Sequence, residues 1–309
     1  FSLFFIYGIN FLLSLINLPR LISIYGVNTW GEITFMQIII NYLIWITDWS
    51  FPQFSCKLIS INETDKKSQQ KIFTQTITSQ SLLLLFSTIV LILLSIFFYK
   101  YKIAFLSSIL ILFGNFLQPY WYLNGREKIY ESALFQLLNK TIFSLLIFSP
   151  LLKYDKSYIY FLLYGIATLL TGILLSMRLM DKYKISYKLR DFKKALTFIK
   201  ESLFLFVSSA LGNITSSIIP ITISNFFGIR ELGIYNIADR IKNISIQIIN
   251  PLTHSIFPRM AKYYYKDKKN ANRKFILLCS FLIILSTIIF ILLNTFIDTI
   301  ILYFSKENI

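Results

Sequence analysis

The sequence predicts an all-α polytopic membrane protein. Three observations carry that prediction. Of the 309 residues, 55% are apolar and only 15% charged, with a mean hydropathy of +0.62, which leaves too few polar groups to coat a soluble core of this size. The apolar residues also fall into blocks of about 20, the length that crosses ~30 Å of hydrocarbon at 1.5 Å per residue. Finally, Lys and Arg alternate between dense and sparse from one connection to the next, as they do when alternate connections face the cytoplasm.

Spans are expected over residues 1–18, 33–52, 73–98, 103–123, 131–152, 158–179, 197–224, 233–257 and 275–296. The first carries Asn10, Ser14 and Asn17, and the second Gln37, Asn41, Trp45 and Asp48. The second half of the third, from Leu82 to Phe98, is almost wholly apolar and suits a lipid-facing helix. The fifth has Ser132, Gln136, Lys140 and Ser144, and the seventh Ser209, Asn213, Ser216, Pro220 and Ser224. The eighth has the longest polar series: Asn236, Arg240, Asn243, Gln247, Asn250 and His254. Its spacings of four and three place all six on one helical face. The ninth is again nearly all apolar.

The connections after spans 2, 4, 6 and 8 hold four, two, six and seven basic residues, the third rising to eight with Arg178 and Lys200 at the flanking span ends, whereas no odd-numbered connection holds more than two. The even connections are therefore expected to be cytoplasmic, and the N-terminus with them. The net charge of +16 belongs to this topology signal, so no nucleic-acid partner is expected. Arg20 and Arg230, near span ends, are expected to snorkel toward water.

The chain also repeats itself. Tyr25-Gly26-Val27-Asn28-Thr29-Trp30-Gly31 recurs as Phe227-Gly228-Ile229-Arg230-Glu231-Leu232-Gly233. Each copy joins two spans on the outer side and precedes a polar-studded helix. Two parallel halves would each need six spans. The expectation is a first six-helix bundle over 1–180, a basic cytoplasmic linker over 181–196, and a second bundle over 197–309. About nine of twelve helices are then present, with three more after Ile309. The chain opens inside an apolar run without Met, so a clipped N-terminus is also expected.

Polar side chains inside a bilayer are costly and face the bundle interior or a cavity. The stripes on spans 1, 2, 7 and 8 are accordingly expected to line a shared hydrated cavity. Candidate substrate-binding residues are Arg240, Lys242, Lys140, Asn236, Asn243, Gln247, Asn41 and Asn213. Asp239 lies one turn from Lys242 and can neutralise it, leaving Arg240 to attract an anion. Asp48, Asp239 and His254 are candidates for coupling transport to protons or sodium. No zinc-binding helix motif, phosphate-binding glycine loop or outer-loop carboxylate pair is present, so no catalytic residue, metal or bound cofactor is expected. Cys56 and Cys279 read as small apolar fillers. Among transporters, a multidrug or metabolite antiporter is the alternative, although its cavity should be more acidic than basic. A membrane glycosyltransferase or polysaccharide polymerase is a further alternative, one that needs acids in an outer loop where only Glu32 is found.

One stretch is more specific. Pro119-Tyr120-Trp121-Tyr122-Leu123-Asn124-Gly125-Arg126-Glu127-Lys128 resembles the Pro-x-Trp-aromatic-Leu-x-Gly-x-Glu-Lys signature of Wzx-type polysaccharide flippases. The segment Gly233 to Ile241, followed by Phe257-Pro258-Arg259, is similar to their eighth span and the next cytoplasmic loop. The Gly26/Gly31 turn fits as well. The resemblance implies two six-helix bundles that move polyprenyl-diphosphate-linked sugar units between leaflets of the bacterial inner membrane. Its implied partners are membrane lipid, an undecaprenyl-diphosphate-linked glycan, a polysaccharide polymerase and a chain-length regulator. The products served would be O-antigen, lipopolysaccharide or capsule.

Overall fold

A computed structural model of the chain describes residues 2–62, 64–149, 156–189 and 191–243, with the single positions Ser280, Thr287 and Thr295. The elements are α1 (Ser2–Asp48), α2 (Phe51–Ile61), α3 (Lys66–Phe97), α4 (Lys102–Phe116), α5 (Tyr120–Gly125), α6 (Ile129–Ile147), α7 (Ser157–Tyr183), α8 (Phe192–Glu201) and α9 (Leu203–Phe226). A further helix, α10, starts at 229 and is described to 243. Every regular element among the described residues is helical. Among the described residues five stretches are long and apolar enough to cross a membrane, so the protein is a multi-pass membrane protein.

The first of those stretches is two spans. α1 is broken at Gly26, whose φ of 66° and ψ of 169° lie where only glycine sits without strain. The arm before Gly26 and the arm after it therefore cross in opposite directions. A connection over 19–32 was expected, but one glycine makes the turn and both arms extend to it. α2 then continues the second arm past a bend at Trp49, which has φ 51°.

Two other expected boundaries shift for local reasons. The fourth span is α4 followed by α5, interrupted at Leu117-Gln118-Pro119, because proline cannot donate to a continuing helix. The seventh begins at Leu203 instead of 197, since α8 ends at Ser202 with that hydroxyl turned back onto the Phe198 and Ile199 carbonyls. α8 thus straddles the end of the stretch expected to form the linker and the first residues expected in the seventh span. α6 falls short of the five on composition, because Gln136, Asn139 and Lys140 interrupt it. Its 19 residues still measure about 28 Å, enough to cross. The ninth expected span, and the eighth beyond Asn243, lie outside the described residues.

α4 and α7 pack closely along their length. A Cβ on Gly114 would lie 2.6 Å from the Leu169 nitrogen, and one on Gly172 2.7 Å from the Gly114 oxygen. Small residues let backbones approach closely where lipid supplies no hydrophobic drive. One apolar core, around Trp30, Phe105, Phe161 and Leu112, fills the bundle between α1, α3, α4, α6 and α7. A second, around Phe73, Tyr122, Leu123 and Leu179, closes the end that carries the dense basic connections. There Asp65 caps α3 by accepting from the Lys67 and Ser68 amides at 2.9 and 3.3 Å. In contrast, Leu85, Phe86, Ile89, Leu93 and Ile96 of α3 are exposed, as lipid-facing side chains are.

The two copies of the repeat meet. A Cβ on Gly31 would fall 1.9 Å from the Ile229 carbonyl oxygen, and one on Gly233 2.5 Å from the Val27 oxygen. The copies are thus not only similar in sequence. They pack backbone to backbone where α1 crosses α10.

Candidate functional site

A cavity of about 510 Å³ opens between the two arms of α1, α6, α7 and α10. Its polar wall is built by helical spacing. Asn10, Ser14 and Asn17 come from the first arm, Gln37 and Asn41 from the second, Gln136, Asn139 and Lys140 from α6, and Arg240 and Asn243 from α10. No carboxylate lines it among the described residues, so the two cations are uncompensated within the chamber.

Each cation is held in place. Lys140 Nζ donates to the Asn10 carbonyl at 2.6 Å and to the Ser14 hydroxyl. Arg240 Nε donates to Asn236 Oδ1 at 3.0 Å, and Nη2 to Gln37 Oε1 at 3.0 Å. Its guanidinium lies 4.7 Å over the Trp30 ring, a cation–π arrangement that fixes orientation without neutralising charge. Trp30 Nε1 donates to the same Asn236 oxygen at 3.2 Å, and Gln37 Nε2 donates to the Tyr160 hydroxyl at 2.5 Å. One network therefore ties α10 to both α1 and α7. Two buried acceptors, Asn17 Oδ1 and Asn139 Oδ1, have no hydrogen-bond partner among the described residues, an unusual state for buried oxygens.

Most of the candidate residues converge here. Lys140, Arg240, Asn41 and Asn243 line the cavity, and Asn236 orients Arg240. Lys242 is not brought in: it is exposed and paired with Asp239, which also accepts from Asn243 Nδ2 at 2.8 Å. Asn213 belongs to a neighbouring chamber of about 310 Å³, which it shares with Asp48, Trp45 and Trp49. Asp48 Oδ1 accepts from Asn115 Nδ2 at 2.9 Å and from Gln80 Nε2 at 3.4 Å. Gln247 and His254 lie outside the described residues. Residues not singled out in the sequence also contribute: Asn139, Tyr160 and Tyr164 at the wall, and Trp30 behind Arg240. Asn139, three residues after Gln136, carried a helical-spacing signal. The tyrosines of α7 did not stand out from 19 in the chain. Among the described residues no group of three potential metal ligands occurs.

Fold and cavity together define a multi-pass helical membrane protein built around an interior, cationic, hydrogen-bonding chamber. The chain belongs to the polysaccharide biosynthesis protein family, whose profile matches residues 1–264. This agrees with the resemblance carried by the 119–128 signature. It is 24% identical over 260 residues to an Escherichia coli K12 protein whose name provisionally assigns it as an O-antigen transporter, covering 82% of this chain and 62% of that protein. A Shigella dysenteriae protein of the same name is 24% identical over 278 residues, covering 86% of this chain and 68% of its own length. No solved structure matches the chain.

Proposed function

We propose that this protein is a transporter of bacterial surface-polysaccharide intermediates, and specifically a flippase of the inner membrane. In this reading it moves polyprenyl-diphosphate-linked oligosaccharide units from the cytoplasmic to the outer leaflet by alternating access, for O-antigen or capsule synthesis. Its N-terminus is then cytoplasmic, and a polymerase and chain-length regulator act on its product. The two-bundle organisation, with residues 1–180 as the first bundle and 197–309 in the second, is part of the same proposal.

The observation that carries it is the chamber with Lys140 and Arg240 and no carboxylate. A diphosphate is the common anionic part of such intermediates, and a desolvated cation attracts it more strongly inside a membrane than in water. Amide and hydroxyl groups around the cations suit varied sugar hydroxyls, which donate and accept in many orientations. The family assignment and the names of both relatives support the same class of cargo.

The test is Arg240→Glu with Lys140→Gln in a strain that depends on this protein for surface polysaccharide. Export should be lost while the variants remain in the membrane. Normal export would remove both cations from the transport path.

A further inference from the structure

The second chamber shares Asn41 and Ile44 with the cationic one, so the two are adjacent along α1. Its chemistry differs. Among the described residues it is lined by no Lys or Arg, and its wall carries two indoles, a carboxylate and several amides. Trp45 and Trp49 flank Phe206, with ring centroids 4.2 and 3.6 Å from it in stacked geometry. Their N–H groups are committed to Ser209 Oγ at 3.1 Å and to the Ile199 carbonyl at 3.3 Å. Both indoles are therefore fixed, and what they offer the chamber is ring surface.

The polar groups are only half used. Asp48 Oδ1 takes both amide donors, whereas Oδ2 has no partner among the described residues. Asn41 and Gln53 have no side-chain partner among the described residues either. Immobile aromatic surface beside a carboxyl group with an open oxygen and free amides matches a pyranose. A sugar ring presents a C–H face to aromatics and hydroxyl donors to carboxylates, and charge-assisted bonds of that kind are the strong ones.

We propose that this chamber is the glycan compartment of the transport site: it holds the sugar residue next to the diphosphate, with Trp45 and Trp49 against its C–H face and Asp48, Asn41 and Gln53 on its hydroxyls. The proposal rests on the flippase reading, since the diphosphate occupies the Lys140–Arg240 chamber. It also assigns Asp48 to recognition and not to ion coupling. Selectivity among repeat units then resides in α1, α2 and α9, apart from the cations that hold the part common to all substrates.

Two probes separate the claims: farnesyl diphosphate alone, and a farnesyl diphospho-hexose, each titrated into the purified protein. Wild type should bind both, the glycosylated probe more tightly. Asp48→Asn should weaken the glycosylated probe roughly tenfold or more, the loss expected for a hydrogen bond to a charged group, and leave farnesyl diphosphate unchanged. Gln53→Ala, an exposed residue, should reduce the same preference without endangering the fold. Equal losses for both probes, or none, in both variants would overturn the glycan compartment. So would an Asp48→Asn effect confined to sodium or proton dependence of binding. Failure of wild type to bind farnesyl diphosphate would instead strike the flippase reading itself.

Discussion

Replacing Gly31 by Ala tests how α1 and α10 are joined. The added methyl would sit 1.9 Å from the Ile229 carbonyl oxygen, 2.8 Å from its carbonyl carbon and 2.9 Å from its Cγ2. Ordinary contact requires about 3.5 Å, so α1 and α10 must separate by more than an ångström locally. Overpacking of this kind costs about 1–3 kcal/mol, and here the obstructing atom is backbone, which has no alternative rotamer. The separation would also strain the Trp30–Asn236 and Gln37–Arg240 bonds, which span the same crossing at 3.2 and 3.0 Å. Gly212 and Gly8 provide controls, because a Cβ at either meets nothing within 4 Å. Alanine there should be neutral or stabilise by up to about 1 kcal/mol through helix propensity. The assay is thermal inactivation in detergent, followed as loss of the monodisperse species on size exclusion. Gly31→Ala should fall several degrees below wild type, with Gly212→Ala at or above it. Equal stability of the two variants would refute the close crossing.

Other outcomes follow from the same structure. Gly172→Ala should also destabilise by about 1–3 kcal/mol, because its Cβ would meet the Gly114 oxygen at 2.7 Å; the size-exclusion assay reads it. Arg126→Ala should loosen the basic end, because its guanidinium bonds Tyr122 and Gln69 at 3.3 and 3.4 Å and lies 5.0 Å over the Tyr183 ring. Faster proteolysis between α7 and α8 is the expected readout. At the start of α3, the Ser68 hydroxyl and amide hold the Asp65 carboxyl below its ordinary value of 3.8. A depressed pKa contributes stability that is complete above the ordinary value and lost as pH falls through the folded one. Protection of the Lys67 and Ser68 amides, taken as the exchange rate relative to the intrinsic rate at each pH, should therefore hold from neutral pH down to about 4 and fall only below that. Asp65→Ala should lack that protection throughout.

Much of the fold was legible because the bilayer constrains composition so strongly. Blocks of about 20 apolar residues have few other uses, and the basic connections ordered them. The Gly26 turn was legible only as a motif. That one residue reverses the chain depends on a positive φ, which sequence hints at but does not fix. The break at Ser202 was missed because residues 192–207 run on with helix-compatible side chains. Within the site, the α10 stripe was readable from its spacing of three and four, and the Asp239–Lys242 pairing from its one-turn separation. The Trp30–Asn236–Arg240–Gln37–Tyr160 network was not readable. Its partners lie more than 120 residues apart in sequence, and only packing brings them together. Lys242 shows the complementary error: proximity to Arg240 in sequence placed it with the cavity, but two residues along a helix is a rotation of about 200°.

In the proposed function, Lys140 and Arg240 bind the diphosphate of a lipid-linked intermediate. Equilibrium binding of farnesyl diphosphate to the purified protein tests it most directly, with the double variant Lys140→Gln, Arg240→Gln alongside. The double variant should lose roughly a hundredfold or more in affinity, the sum expected from two charged hydrogen-bonding partners, and wild-type binding should weaken as salt rises. Equal affinity of wild type and double variant, with no dependence on salt, would contradict it.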